Sequence, residues 1–294
     1  MREDSPSRTA AGVAFRRAAH QLLDRPLVFI DPLARVLLSE KAQASLDADP
    51  WRGNRGVFHS RLRAFLAARS RIAEDCVAAA AAAGVRQYVV LGAGLDTFAY
   101  RNPFPEIRVF EVDHPQTQRW KRERLEAAGL TVSAGAVYVP IDFHADTIAR
   151  ALADNGFDAN QPTAISWLGV VPYLDAPAVW ATLEWAAGVV GSAGHIVFDY
   201  GSKPKWWQLG QRLALRALAK RVAAAGEPFR TRLEPADVRG RLTSIGFTDV
   251  EDLNSRELTR RYFAGRSDGL RVSGSGHVVI AARHSLREVQ TLRR

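Results

Sequence analysis

The chain reads as an α/β protein, an open and mostly parallel sheet preceded by a helical cap. Three observations predict this. From residue 87 to residue 200, short β-branched apolar runs alternate with helix-like segments across brief connections, the pattern of a parallel sheet with right-handed crossovers. The first run, Tyr88-Val89-Val90-Leu91, passes directly into Gly92-Ala93-Gly94, as a buried strand does when it ends in a tight turn. No strand-like run precedes it, so the first 84 residues are expected to be helical.

Each element follows from local chemistry. Residues 11–46 read as helical, with breaks at Asp24-Arg25-Pro26 and Asp31-Pro32, because a proline disfavours helix in the residue before it. Residues 47–58 are rich in Asp, Pro, Gly and Asn and read as a loop. Residues 59–83 form one long helix without Gly or Pro, and Gly84 ends it as a C′ glycine. Strands are expected over about 87–91, 108–112, 136–141, 163–168 and 195–200, with helices over 115–128, 145–153 and 176–190. Residues 203–226 read as an added amphipathic helix opening on Trp206-Trp207. A helix over 235–245 and strands over 247–253 and 277–283 complete the sheet. No crossover helix is expected between the last two strands, so the seventh should run antiparallel.

The turn after the first strand carries the chemistry. Glycines lack Cβ and let backbone approach a ligand closely. Nineteen residues after Gly94, Asp113 ends the run Ile107 to Val112, where an acid can accept hydrogen bonds from ribose hydroxyls. A dinucleotide fingerprint would place a third glycine three residues on, but Thr97 stands there, and Asp96 would repel a pyrophosphate. A nucleoside cofactor without phosphate and with a positive charge fits, such as S-adenosylmethionine. Asp142, just after the third strand, can accept from an adenine amino group, with Phe143 flanking the base; the plainer alternative is a helix N-cap and a core aromatic.

These residues resemble a known family. Leu91-Gly92-Ala93-Gly94-Leu95-Asp96-Thr97, Tyr100-Arg101 and Phe110-Glu111-Val112-Asp113-His114-Pro115 are similar to class I S-adenosylmethionine-dependent methyltransferases, in the branch that includes leucine carboxyl methyltransferases. Ser7-Arg8-Thr9-Ala10, Asp31-Pro32-Leu33-Ala34, Pro140-Ile141-Asp142-Phe143 and Ser166 to Leu174 extend the likeness to nearly the whole chain. Leu168 departs from it, standing where many members carry glutamate. The resemblance implies a Rossmann-like seven-stranded sheet with its last strand antiparallel. The run of elements divides the chain into an expected cap over 1–84, a cofactor-binding core over 85–202, a helical lid over 203–230 and the rest of the sheet over 231–294. The resemblance also implies an arginine of the long helix on the cofactor carboxylate; of Arg69 and Arg71, the expectation is Arg71.

Substrate contacts are expected beyond the carboxyl ends of the strands. Trp167 and Tyr173 follow the fourth strand, Trp167 facing the cofactor. Tyr173, Tyr200 and His277 are the catalytic candidates, with His277 placed on the same edge by an antiparallel last strand. The expected reaction is methyl transfer to a small organic acceptor, on hydroxyl or carboxylate oxygen, of the kind found in bacterial secondary metabolism. Transfer to carbon or nitrogen is the alternative. Two rivals of other classes are a nicotinamide-dependent oxidoreductase, opposed by Thr97, and a non-catalytic nucleoside-binding protein, which Leu168 keeps open.

Composition bounds the rest. The net charge of +9 comes with 40 Lys and Arg, of which only five are lysines. The arginines are spread along helices rather than set in one stripe with aromatics, so no nucleic-acid partner is expected. No uncharged apolar run reaches the length of a membrane span, and Met1-Arg2-Glu3-Asp4-Ser5-Pro6 lacks a signal-peptide core. A cytoplasmic protein without membrane partner is expected, with a homodimer left open. The single cysteine, Cys76, sits in an Ala-rich helical stretch and reads as a core residue; no His, Cys or carboxylate spacing suggests a metal.

Overall fold

The computed structural model describes residues 8–131, 135–142, 146–203 and 228–284. Three helices come first: α1 (Arg8–Leu23), α2 (Glu40–Ala48) and α3 (Val57–Ala82). The helical reading of 11–46 is interrupted by turns over 32–38, and α2 begins where the Ser39 side chain accepts from the Ala42 N–H, satisfying one of the free donors of a first turn. Then follow β1 (Gln87–Leu91), α4 (Phe98–Arg101), β2 (Arg108–Asp113), α5 (Pro115–Ala127), β3 (Ala136–Pro140), α6 (Ile148–Asp154) and β4 (Thr163–Trp167). A single 3₁₀ turn, Val171–Tyr173, leads to α7 (Ala176–Val189) and β5 (His195–Gly201). After the expected lid, α8 (Pro235–Ser244), β6 (Asp249–Leu253), α9 (Ser255–Tyr262) and β7 (Gly276–Ala282) end the described chain. Trp206 and Trp207 lie outside the described residues.

The strands form one sheet in the order β3-β2-β1-β4-β5-β7-β6. β1 to β5 pair in parallel, and β7 runs antiparallel to both β5 and β6. The fold is the Rossmann-like α/β architecture that the alternating pattern predicts. One element differs: α9 stands between β6 and β7. It is fixed by a capping box, with Asn254 accepting from the Glu257 N–H and Glu257 from the Asn254 N–H. It is a connection between antiparallel strands rather than a crossover, so the direction of β7 is unaffected.

All five residues of β1 and of β4 are buried, while the edge strands β3 and β6 are mostly half-exposed. Central parallel strands need helices on both faces. One face is covered by α7 through Val179, Leu183 and Ala186, packed on Ile165 and Ile196. The other is covered by α3, whose Ala64, Ala67, Ala68 and Ile72 meet Val197, Val278 and Ile280. Each such fully buried branched side chain contributes about 1.5–3 kcal/mol. Alanines on α3 let that helix lie close to the sheet. The chain leaves β1 toward β2 and β3, then returns to β4 on the other side, so the crevice beyond β1 and β4 is the switch point where ligands bind in such sheets.

Candidate active site

A cleft of about 290 Å³ opens at that switch point. Its floor is the turn after β1. Gly92 and Gly94 have φ of +63° and +48°, a left-handed region that costs residues with Cβ about 1–2 kcal/mol. A Cβ on Gly92 would stand 2.4 Å from Val170 Cγ2, so the turn also packs where no side chain fits. Asp113 ends β2 beside it. Its Oδ2 accepts from the Gly94 N–H at 2.6 Å and its Oδ1 from the His114 N–H at 2.7 Å. Burial pushes this carboxyl above the ordinary range, against the downward pull of the two N–H bonds. Each oxygen keeps a second lone pair for a ligand hydroxyl.

The roof of the cleft comes from α1, through Thr9, Ala10, Val13 and Arg17. Arg17 is held by an ion pair to Asp31 and by donation to Thr97 Oγ1 at 2.9 Å, and its Nη1 lies 3.7 Å from Asp96. Asp96 accepts from the Phe98 N–H at 2.8 Å. The far wall is Arg69 of α3, buried, whose Nη1 donates to Asp199 Oδ2 at 2.9 Å. Asp199 Oδ1 accepts from the Gly169 N–H at 2.5 Å. Leu168 and Tyr173 complete this wall.

Of the expected site residues, Gly92, Gly94, Asp113 and Tyr173 come together in this cleft. Arg71 does not reach it. Half-exposed, it pairs with Asp75 at 2.7 Å one turn along α3, and Arg69 takes the cleft position instead. Two residues turn a helix by about 200°, so only one of the pair can face inward. Trp167 is 3 % exposed and packs on Phe198, ring centres 6.3 Å apart. Its neighbours Ser166 and Leu168 line the cleft, because successive strand residues face opposite sides. Asp142 is exposed just beyond β3 and is not among the cleft-lining residues; Phe143 lies outside the described residues. Sequence reasoning missed Arg17 and the part of α1 that roofs the cleft, although Thr9-Ala10 carries part of the family likeness.

A second cavity, of about 390 Å³ and more apolar, lies on the other side of the Arg69–Asp199 pair. Phe58, Leu62 and Phe65 of α3, Pro172, Tyr200 and Phe229 line it. Tyr200 is 1 % exposed, and its hydroxyl donates to Asp252 Oδ2 at 2.7 Å. Burial and that carboxylate push the phenol up. His277 stacks on Tyr200, ring centres 4.9 Å apart, and its Nδ1 lies 2.8 Å from Asp252 Oδ1. His277 is not among the residues lining either cavity. Strand pairing puts His277, expected as a base, level with Tyr200, with its ring stacked on Tyr200 and tied to Asp252. Cys76 is half-buried and its thiol is pushed up to about 12 by desolvation, a structural thiol rather than a nucleophile.

The cleft fits an amino-acid nucleoside cofactor. Asp113 offers acceptors for hydroxyls, Arg17 and Arg69 offer cations for a carboxylate, and the glycine turn leaves the space a Cβ would fill. Among the described residues, no group of three or more His, Cys, Asp or Glu is arranged to hold a metal ion.

Comparison with known proteins agrees. The family model described as leucine carboxyl methyltransferase matches residues 10–187. A protein of Bacillus subtilis (strain 168), provisionally named S-adenosyl-L-methionine-dependent methyltransferase YktD, is 31% identical over 96% of this chain and 100% of its own length. A Mycobacterium ulcerans (strain Agy99) protein of the same provisional name is 35% identical over 87% of this chain and 85% of its own. In fold, the chain is similar to a DUF574-family protein from Streptomyces avermitilis, with a TM-score of 0.54 and 15% identity over 92% of this chain and 97% of the other. A provisionally named methyltransferase from Thermobifida fusca gives 0.55 and 15% over 90% and 100%. With more than half its length matched by the family model and a relative aligned end to end, the chain belongs to the leucine carboxyl methyltransferase family and is an S-adenosylmethionine-dependent methyltransferase.

Proposed function

We propose that this enzyme methylates an oxygen, hydroxyl or carboxylate, of a small organic acceptor held in the apolar cavity. The observation that carries this reading is the pairing of the two cavities. The cofactor cleft reaches Arg69, the apolar cavity reaches Asp199, and a 2.9 Å ion pair joins them.

S-adenosylmethionine, when bound, supplies a methyl group on a sulfonium that a nucleophile can displace in line. The residues do the positioning. Asp113 holds ribose hydroxyls, and Arg69 with Arg17 takes the amino-acid carboxylate. Tyr173, in the cleft wall, meets Phe229 of the apolar cavity with ring centres 5.4 Å apart, so these two aromatics orient an acceptor across the junction. Orientation of this kind supplies most of the acceleration a reaction with an activated donor needs. A carboxylate acceptor requires no base; for a hydroxyl, the S–CH3 bond breaks as the O–CH3 bond forms, S-adenosylhomocysteine leaves, and the hydroxyl proton passes to Asp199, the carboxylate where the two cavities meet, and on to solvent. Tyr200 lines the apolar cavity, and Asp252 and His277 hold its ring from behind. We propose α1 of the cap as the part that closes the cofactor cleft; the expected lid over 203–230 lies, save its ends, outside the described residues.

The test is incubation with methyl-labelled S-adenosylmethionine and a panel of apolar alcohols, phenols and acids, with products read by mass spectrometry. Base-labile esters or stable ethers support the reading. Label found only on nitrogen or carbon, or only on protein or nucleic acid, refutes it.

A further inference from the structure

Among the described residues, two arginines line the apolar cavity without an acid paired to them. Arg61 projects from the first turns of α3 and Arg232 from the segment before α8. Each makes one long bond to a backbone carbonyl, Arg61 to Arg271 at 3.4 Å and Arg232 to Ser202 at 3.4 Å. Among the described residues, neither has a carboxylate partner within salt-bridge distance. Asp199, the one acid among the described residues that line the cavity, is taken by Arg69 and the Gly169 N–H. Burial, with Arg271 beside Arg61, holds both guanidinium groups below their ordinary value. Among the described residues, the buried Arg17, Arg63 and Arg69 and the half-buried Arg101 each face a carboxylate.

We propose that these arginines anchor a carboxylate of the acceptor that is not the one methylated. Arg61 and Arg69 are eight residues apart on one helix, about 12 Å along its axis. Arg69 marks the cofactor cleft, so an anion at Arg61 stands a whole acceptor length from the methyl donor. The occupant is an apolar acid with its reacting oxygen at the opposite end: a flat or linear hydroxy acid, its body among Phe58, Leu62, Phe65 and Phe229. Two guanidinium groups on an apolar wall select such a ligand over its neutral amide because a partly desolvated cation gains more from a charged partner than from a neutral one.

This inference rests on the acceptor role of the apolar cavity. The experiment uses the full chain with S-adenosylhomocysteine present, titrated with 4-hydroxycinnamate, with its primary amide, and with 8-hydroxyoctanoate. The expected result is that at least one acid binds about tenfold or more tightly than the amide. Arg61→Gln and Arg232→Gln should each weaken acid binding at least about fivefold, while amide and S-adenosylhomocysteine affinities hold. Equal binding of acid and amide, insensitivity to both substitutions, or no binding of either acid overturns the proposal. Label from S-adenosylmethionine on the carboxylate rather than the hydroxyl also overturns it. Acid preference that depends on the arginines, but with no methyl transfer to any probe, leaves the anion site standing and refutes the acceptor reading instead.

Discussion

Replacing Asp113 by asparagine separates its charge from its shape. Both carboxylate oxygens accept backbone N–H groups, from Gly94 at 2.6 Å and His114 at 2.7 Å. An amide has one accepting oxygen, so one of these donors would face an NH₂ group. An unpartnered buried donor costs about 1–3 kcal/mol, the expected loss of stability for Asp113→Asn without ligand. The loss in cofactor affinity is separate. Hydrogen bonds to a charged acceptor are worth about 1.5–3 kcal/mol, so affinity should fall about tenfold to a hundredfold. The pH dependence gives a second readout. Burial raises the Asp113 pKa above the ordinary carboxylate range, and ribose hydroxyls need the ionised form. Parental affinity should therefore fall on acidification through that raised value, while the Asp113→Asn variant stays flat. Without ligand the sign is opposite: the folded state holds the proton more tightly than the unfolded one. This group's contribution to stability accordingly declines as pH rises from the ordinary carboxylate value to the raised one. The assay is calorimetric titration with S-adenosylhomocysteine across pH, with thermal unfolding of the free proteins alongside. Equal affinities and equal pH profiles for parent and variant would refute the assignment. Glu111 could not inherit the role, since it is buried and bonded through both oxygens to Lys121 Nζ at 2.7 Å.

Three further outcomes follow from the same geometry. Arg69→Ala should weaken S-adenosylhomocysteine binding at least about tenfold, while Arg71→Ala, which breaks an exposed i,i+4 pair and a long bond to the Val28 carbonyl, should change it by less than about 0.5 kcal/mol; the reverse order in a paired titration would show that α3 is in the other register. Gly92→Ala puts a Cβ 2.4 Å from Val170 Cγ2 at φ +63°, so denaturant unfolding should show a loss of about 2–4 kcal/mol, and an unchanged midpoint would mean the turn is not held as described. His277→Ala should lower thermal stability and cut kcat less than about tenfold, below the hundredfold or more of a lost general base; a larger kcat loss with a shifted pH–rate profile would restore His277 as the base.

How much of this was legible in the chain depends on the range of the interaction that decides each feature. The sheet, its order of helices and the glycine turn were readable because apolar periodicity and glycine placement are local, and Gly92, Gly94 and Asp113 meet because strand ends of a switch-point sheet meet. The α9 helix was missed although its capping box, Asn254 to Glu257, is written in four residues; the short apolar content around it masked the signal. Choosing Arg71 over Arg69 was a choice between faces of α3, and only its packing on β5 and β4 decides which face is inward. Trp167 was misread for the strand equivalent of that reason, since the parity of β4 assigns Ser166 and Leu168 to the cleft and sends the indole into the core. Arg61 and Arg232 carry no sequence signal at all: 171 residues apart, they gain meaning only when the sheet brings the start of α3 and the segment after β5 to one cavity. Positions of that kind decide which acceptor is taken, whereas the cofactor turn is fixed by residues close in sequence. That division explains why a chain of this family declares its cofactor in a decapeptide and its substrate only in three dimensions.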